Sequence, residues 1–187
     1  TRFATHVAAP GAGSMAGSPS AAQMSRPAGS RRPPTGFHAA AGLVAFGDSI
    51  TDGALSTVDA NHRWPDILAN RLREHRGRKP ICVLDAGIGG NRILHDPINA
   101  RFGVNSLARF DRDVLAQPGV RYVIVLEGIN DLGHPGQSAP ESETVSADDI
   151  IAGLKQMIER AHEQGIRIFG ATLTPFEGTA FKGYFTP

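Results

Sequence analysis

The stretch "GLVAFGDSITDG", residues Gly42 to Gly53, runs from an apolar, strand-like segment straight into a polar cluster that holds Asp48, Ser49 and Asp52. An apolar run of this length, bounded by glycine and acidic residues, reads as a buried strand of a parallel sheet. In open α/β sheets the loops at the carboxyl ends of the strands hold the functional site. Ser49 stands at such an end. Two questions follow: whether the chain supplies the sheet, and whether it supplies the partners that a reactive serine needs.

Beyond "LVAFG", apolar runs alternate with segments of helical period. "RWPDILANRLREHRG" places Trp64, Ile67, Leu68 and Leu72 on one helical face, with Pro65 tolerated in the first turn. "ICVLDAG" reads as a second strand, with Cys82 a buried, inert thiol inside it. "NSLARFDRDVLAQPG" repeats the helical spacing through Leu107, Phe110, Val114 and Leu115, then stops at Pro118 and Gly119. "RYVIVLEG", dense in β-branched residues, is a third strand. The clearest helix is "SADDIIAGLKQMIERAHEQG": Ser146 caps it, Asp148 and Asp149 suit its first turn, and Ile150, Leu154, Met157, Ile158 and Ala161 form its apolar stripe. Gly165 suits its C-terminal cap, and "IRIFGATLT" is a fourth strand. Three βα crossovers imply a right-handed, doubly wound parallel sheet in an α/β fold.

The first 41 residues differ. Thr1 to Ala41 is Ala, Gly, Ser and Pro with scattered arginines, too poor in apolar side chains to offset the entropy of ordering. It is expected to be a disordered leader, and residues 42–187 one domain. A basic, Ser-containing leader also occurs in targeting peptides, but this one lacks an amphipathic period. Thr1 to Gly47 carries four arginines and no acid, so the formal charge of +1 leaves 15 basic and 18 acidic side chains, a balance of −3, for the rest. That balance gives no electrostatic case for nucleic acid. No apolar run approaches the roughly 18 residues of a membrane span. With Cys82 the single cysteine, no internal disulfide forms and neither a secreted nor a cytoplasmic location is selected. The chain opens without Met and without the continuous apolar core of a secretory signal, and is expected to be processed or partial.

The chemistry-bearing residues fall at strand ends: Asp48 and Ser49 after the first, Gly89, Gly90 and Asn91 after the second, Asn130 and Asp131 after the third. Each group alone is more often a turn or a helix cap. Together they match what acyl transfer needs, because a serine nucleophile requires donors aimed at the oxyanion. Gly90 can bring its N–H close for want of a Cβ, Asn130 can offer its amide nitrogen, and Ser49 its own N–H. Other motifs fail on spacing. Thr51 occupies the last glycine of a Gly-x-Ser-x-Gly elbow, and the Gly-Lys-Ser/Thr of a phosphate loop is absent. Gly87, Gly89 and Gly90 lack the third glycine of a dinucleotide fingerprint. Asp48 with Asp52 lacks the further ligands of a cation site. No metal or organic cofactor is therefore expected.

These motifs resemble those of the SGNH/GDSL-type hydrolases, over Leu43 to about Glu177, around two-thirds of the chain. "FGDSITDG" is similar to the family's first block, "DAGIGGNRIL" to the second and "EGINDLG" to the third; "DANHRWPDILANRL" and "GATLTPFEG" look like its bacterial or fungal esterase branch. The resemblance implies a three-layer α/β/α sandwich of flavodoxin-like type and a serine ester hydrolase acting on small-molecule esters through an acyl-enzyme. It gives Ser49 as nucleophile, Gly90 and Asn130 as oxyanion donors, and Asp48 a supporting role in shaping the loop. Family-like order puts the second strand at one edge and the fourth at the other.

The family's last catalytic element, an Asp-x-x-His block after a fifth strand, has no counterpart before Pro187, and the chain is expected to lack the last strand and helix of the sandwich. A serine without an adjacent base is a weak nucleophile. Asp59 to His62 and Asp131 to His134 have the right spacing but lie between the wrong elements, and read as coincidences; His95 and His134 read as solvated loop histidines near the site, with contact to substrate the other reading. The chain as given is thus expected to be nearly inactive and, with an unpaired fourth strand, prone to associate. A non-catalytic ester- or carbohydrate-binding domain of the same fold is the alternative. The donors leave acyl chain and alcohol unspecified, so lipid, acetylated-sugar and small aryl esters all stay open; with no apolar insert to line a lipid groove, acetylated sugars are favoured over long acyl chains.

Overall fold

The computed structural model describes residues 41–75, 80–176, 179 and 184; the leader expected over 1–41 lies, Ala41 apart, outside them. Four strands form one parallel sheet in the order β2-β1-β3-β4: β1 Ala41–Gly47, β2 Ile81–Gly87, β3 Val120–Leu126 and β4 Arg167–Gly170. Because β1 pairs in parallel with both β2 and β3, Gly47 lies beside Gly87 on one side and Leu126 on the other. The chain therefore leaves all three strands at one level, and the three polar loops start side by side.

The elements between are α1 Ser49–Asp52, α2 Trp64–Glu74, α3 Ser106–Phe110, α4 Ile129–Gly133 and α5 Ala147–Glu163. Val44 and Phe46 of β1, with Val123 and Val125 of β3, point to one face, as the two-residue period of strands requires. There they meet Phe110, Val114, Met157 and Ala161 in a single core. Phe46 and Phe110 pack edge to face, with centroids 5.4 Å apart. The fold is the α/β sandwich expected from the alternation of apolar runs and helical periods.

Caps fix the helix ends. Ser146 Oγ accepts from the Asp149 N–H while the Asp149 carboxylate accepts from the Ser146 N–H, a reciprocal capping box. At the other end the Gly165 N–H donates to His162 O and the Ile166 N–H to Ala161 O, with Gly165 at φ +66°. This is the Schellman pattern that lets a helix stop.

Four details differ from the sequence reading. The segment after Ser106 is no single α-helix: beyond α3, Asp111–Leu115 winds as a π-turn, in which the Ala116 N–H reaches back to Asp111 O. Cys82 is exposed rather than buried, because β2 is an edge strand and Cys82 alternates away from the Ile81 and Val83 side. Ile67 and Ile158 are 41% and 39% exposed at the margins of their helical stripes, not within the core. The strand expected over 166–174 pairs only from Arg167 to Gly170.

Candidate active site

Asp48 is the N-cap of α1: its Oδ1 accepts the Ile50 N–H at 2.8 Å. Ser49 is thereby the first helical residue, and its N–H is among those that a helix start leaves without an intrahelical partner. Thr51, fully buried, holds this short helix from behind, its Oγ1 accepting the Trp64 indole N–H at 3.3 Å across from α2. The second loop closes against it. The Ile88 N–H donates to Gly47 O, and a Cβ on Gly87 would lie 2.1 Å from the Asp52 nitrogen, so only glycine lets β2 leave the sheet this close to α1.

Gly90 sits in a turn closed by the Asn91 N–H on Ile88 O, with φ +77° and a would-be Cβ 2.3 Å from the Phe102 ring. Both facts demand glycine. Its neighbour Gly89 faces the serine: a Cβ there would stand 3.9 Å from Ser49 Cβ. The third loop joins through Asn130, the second residue of α4, whose Nδ2 donates to the Asn91 carbonyl at 2.8 Å. Ser49, the Gly89–Gly90 turn and Asn130 are thus brought into one site.

The sequence reading missed what lies beneath. Arg109 is wholly buried, and its guanidinium donates to Asn91 Oδ1 at 2.7 Å, Ala86 O at 2.8 Å and Gly47 O at 2.9 Å, while stacking 3.9 Å over the Phe46 ring. It ties the ends of β1 and β2 to Asn91 in the loop after β2. Asn91 also donates from Nδ2 to Phe102 O and Val104 O and accepts from Ser106 Oγ, which uses its side-chain amide fully. The signal for Arg109 was its place between Ser106 and Phe110 on the buried face of α3.

Two buried acids, Asp48 and Glu127, lie near that cation, and a third, Asp131, lies on α4 after β3. Asp48 is pushed up to about 6, chiefly by burial, and its Oδ2 has no hydrogen-bond partner among the described residues. Burial and the nearby Asp48 hold Glu127 well above the usual carboxylate range, although Arg109 Nη2 stands 3.8 Å away. Asp131 is raised by burial too, yet its two oxygens accept the Ile93 and Leu94 N–H groups at 2.8 and 3.1 Å. It therefore braces the loop after Asn91. His134, expected as a solvated loop histidine, is instead buried at the end of α4 with its ring packed against Phe102 and Tyr184, and burial lowers its pKa. Asp59 and His62 are both exposed. Among the described residues no histidine is hydrogen-bonded or ion-paired to a carboxylate, and no cluster of three His, Cys, Asp or Glu could hold a metal ion. No helix there is long and apolar enough to cross a membrane.

Comparison with known proteins finds the same fold in solved structures. Three similar solved structures are the SGNH-hydrolase family esterase AlinE4 (TM-score 0.55, 23% identity, 78% of this chain and 67% of that one), an acetylxylan esterase from Geobacillus stearothermophilus in a catalytic mutant form (0.57, 22%, 74% and 62%), and an inhibitor-bound aryl esterase from M. smegmatis (0.54, 19%, 70% and 63%). The chain spans about two-thirds of their length, and at these identities the likeness is one of fold. A search of curated protein sequences finds no significant match. The family model of GDSL-like lipases and acylhydrolases matches residues 45–185, which include all three strand-end loops, and the chain belongs to that family.

Proposed function

We propose that this chain carries the nucleophile and oxyanion hole of a serine carboxylic-ester hydrolase, working through an acyl-enzyme on Ser49. The observation that carries the reading is the Asn130 to Asn91 hydrogen bond of 2.8 Å, which joins the third loop to the second, whose Gly89 faces Ser49. Ser49 Oγ attacks the ester carbonyl carbon and the carbonyl π pair moves onto its oxygen. The N–H groups of Ser49 and Gly90 and the second amide hydrogen of Asn130 take that charge. Collapse expels the alcohol, which leaves with the proton that the serine gave up, and water then releases the acid by the same steps. Asp48 supports the nucleophile by capping α1 rather than by moving a proton. Treatment with a fluorophosphonate and peptide mapping should find the adduct on Ser49; an adduct elsewhere, or none in an active preparation, overturns the assignment.

Short acyl groups on carbohydrate alcohols are the proposed substrate class, since no long apolar insert interrupts the described loops around Ser49. A chain-length series of esters should peak at acetyl, and a peak at long acyl chains would overturn this. A second reading, a binding domain that keeps the pocket without turning over, is favoured by the absence of a histidine–carboxylate pair among the described residues. It would leave Ser49 unlabelled while an acetylated saccharide still binds.

A further inference from the structure

Tyr184 lies 54 positions beyond Asn130 in sequence, yet its hydroxyl donates to Asn130 Oδ1 at 2.6 Å. The ring is seated on α4 itself. A Cβ on Gly133 would stand 2.6 Å from Tyr184 Cδ1, and the His134 ring meets Tyr184 edge to face at 6.2 Å. The Asn130 amide is thus held at both ends, Oδ1 by the phenol and one Nδ2 hydrogen by the Asn91 carbonyl. That leaves one amide hydrogen, with its direction fixed.

We propose that Tyr184 is a positioning residue of the oxyanion hole, its hydroxyl orienting and polarising the Asn130 amide so that the free N–H is the stronger donor to the developing oxyanion. The inference rests on the ester-hydrolase reading given above. A hydrogen bond accepted by an amide oxygen draws electron density from nitrogen and strengthens the N–H, as hydrogen-bonded chains do generally. The Asn91 carbonyl opposes a flipped amide, because a flip would set Oδ1 against another acceptor. Burial and the nearby Asp48 raise the Tyr184 phenol above its ordinary value, so it stays protonated and donating near neutrality.

The test is Tyr184→Phe, which keeps the ring on Gly133 and removes only the hydroxyl. In nitrogen-15 spectra the Asn130 side-chain amide, identified by its loss in Asn130→Ala, should move upfield. Phosphonylation of Ser49 by a fluorophosphonate should slow about three- to tenfold, the size expected for one hydrogen bond strengthened in the transition state. With any turnover substrate, kcat should fall in step while KM stays within about twofold. An unmoved amide signal, or an unslowed label on a shifted amide, overturns the positioning role while leaving Ser49 as nucleophile. Failure of a catalytically active preparation to label at Ser49 overturns the ester-hydrolase reading, and this inference with it.

Discussion

At the residue scale, the site depends on positions where one atom too many is excluded. Gly90 combines a left-handed φ of +77° with a Phe102 ring that a Cβ would meet at 2.3 Å, so Gly90→Ala should cost on the order of 2 kcal/mol or more in urea unfolding and weaken phosphonate labelling of Ser49. An unchanged midpoint would mean that the turn moves freely, and a fixed N–H donor there would be lost as an idea. Asp48 gives a pH-dependent case. Its folded pKa of about 6 lies above the ordinary 3.8, so the folded state holds the proton more tightly. Its contribution is fully present below about pH 4 and is lost as pH rises towards 6, on the order of 3 kcal/mol. Asn can keep the cap on Ile50 without ionising, so Asp48→Asn should flatten the fall in unfolding free energy between pH 4 and 6. The raised Glu127 and Asp131 run in the same direction and leave some slope. An identical slope in the variant would remove Asp48 from the account.

At the scale of elements, strands and long helices were legible because their apolar periods differ and each ends on a recognisable cap or turn. What the periods could not carry was the work of single polar side chains. Arg109 reads from sequence as one of two arginines in "ARFDRD", yet it is buried where the carboxyl ends of β1 and β2 present the carbonyls of Gly47 and Ala86. Only the fold brings those acceptors together. Likewise Cys82 looked buried because apolar neighbours do not say whether a strand is central or at an edge. Arg109→Lys tests the element-level role. A lysine keeps the charge but cannot span Gly47 O, Ala86 O and Asn91 Oδ1 with one ammonium. It should cost about 3 kcal/mol by urea unfolding, in the range for breaking a buried charged network. A loss below about 0.5 kcal/mol would show that the three acceptors find other donors.

Across the whole molecule, the order β2-β1-β3-β4 sets the three polar loops at the carboxyl ends of the neighbouring strands β2, β1 and β3 and leaves β2 and β4 as edges among the described residues. The three blocks around Ser49, Gly90 and Asn130 were legible because each must follow a strand directly; the return of Tyr184 to Asn130 was not, since no local pattern encodes a contact across 54 residues. Edges carry the last prediction. On β4, Ile168 turns towards the core while Phe169 alternates to the other face and is 51% exposed. It pairs in register with Ile124 of β3, so an apolar side chain sits on a strand with no second strand partner among the described residues. An exposed apolar edge of this kind recruits a second chain. Phe169→Lys places a charge on that edge with little expected cost to the fold, since exposed substitutions usually change stability by under about 0.5 kcal/mol. Light scattering across a concentration series should show the unaltered protein gaining mass as concentration rises and the variant holding a constant, lower mass. Equal masses at every concentration would mean that association, where it occurs, runs through another surface.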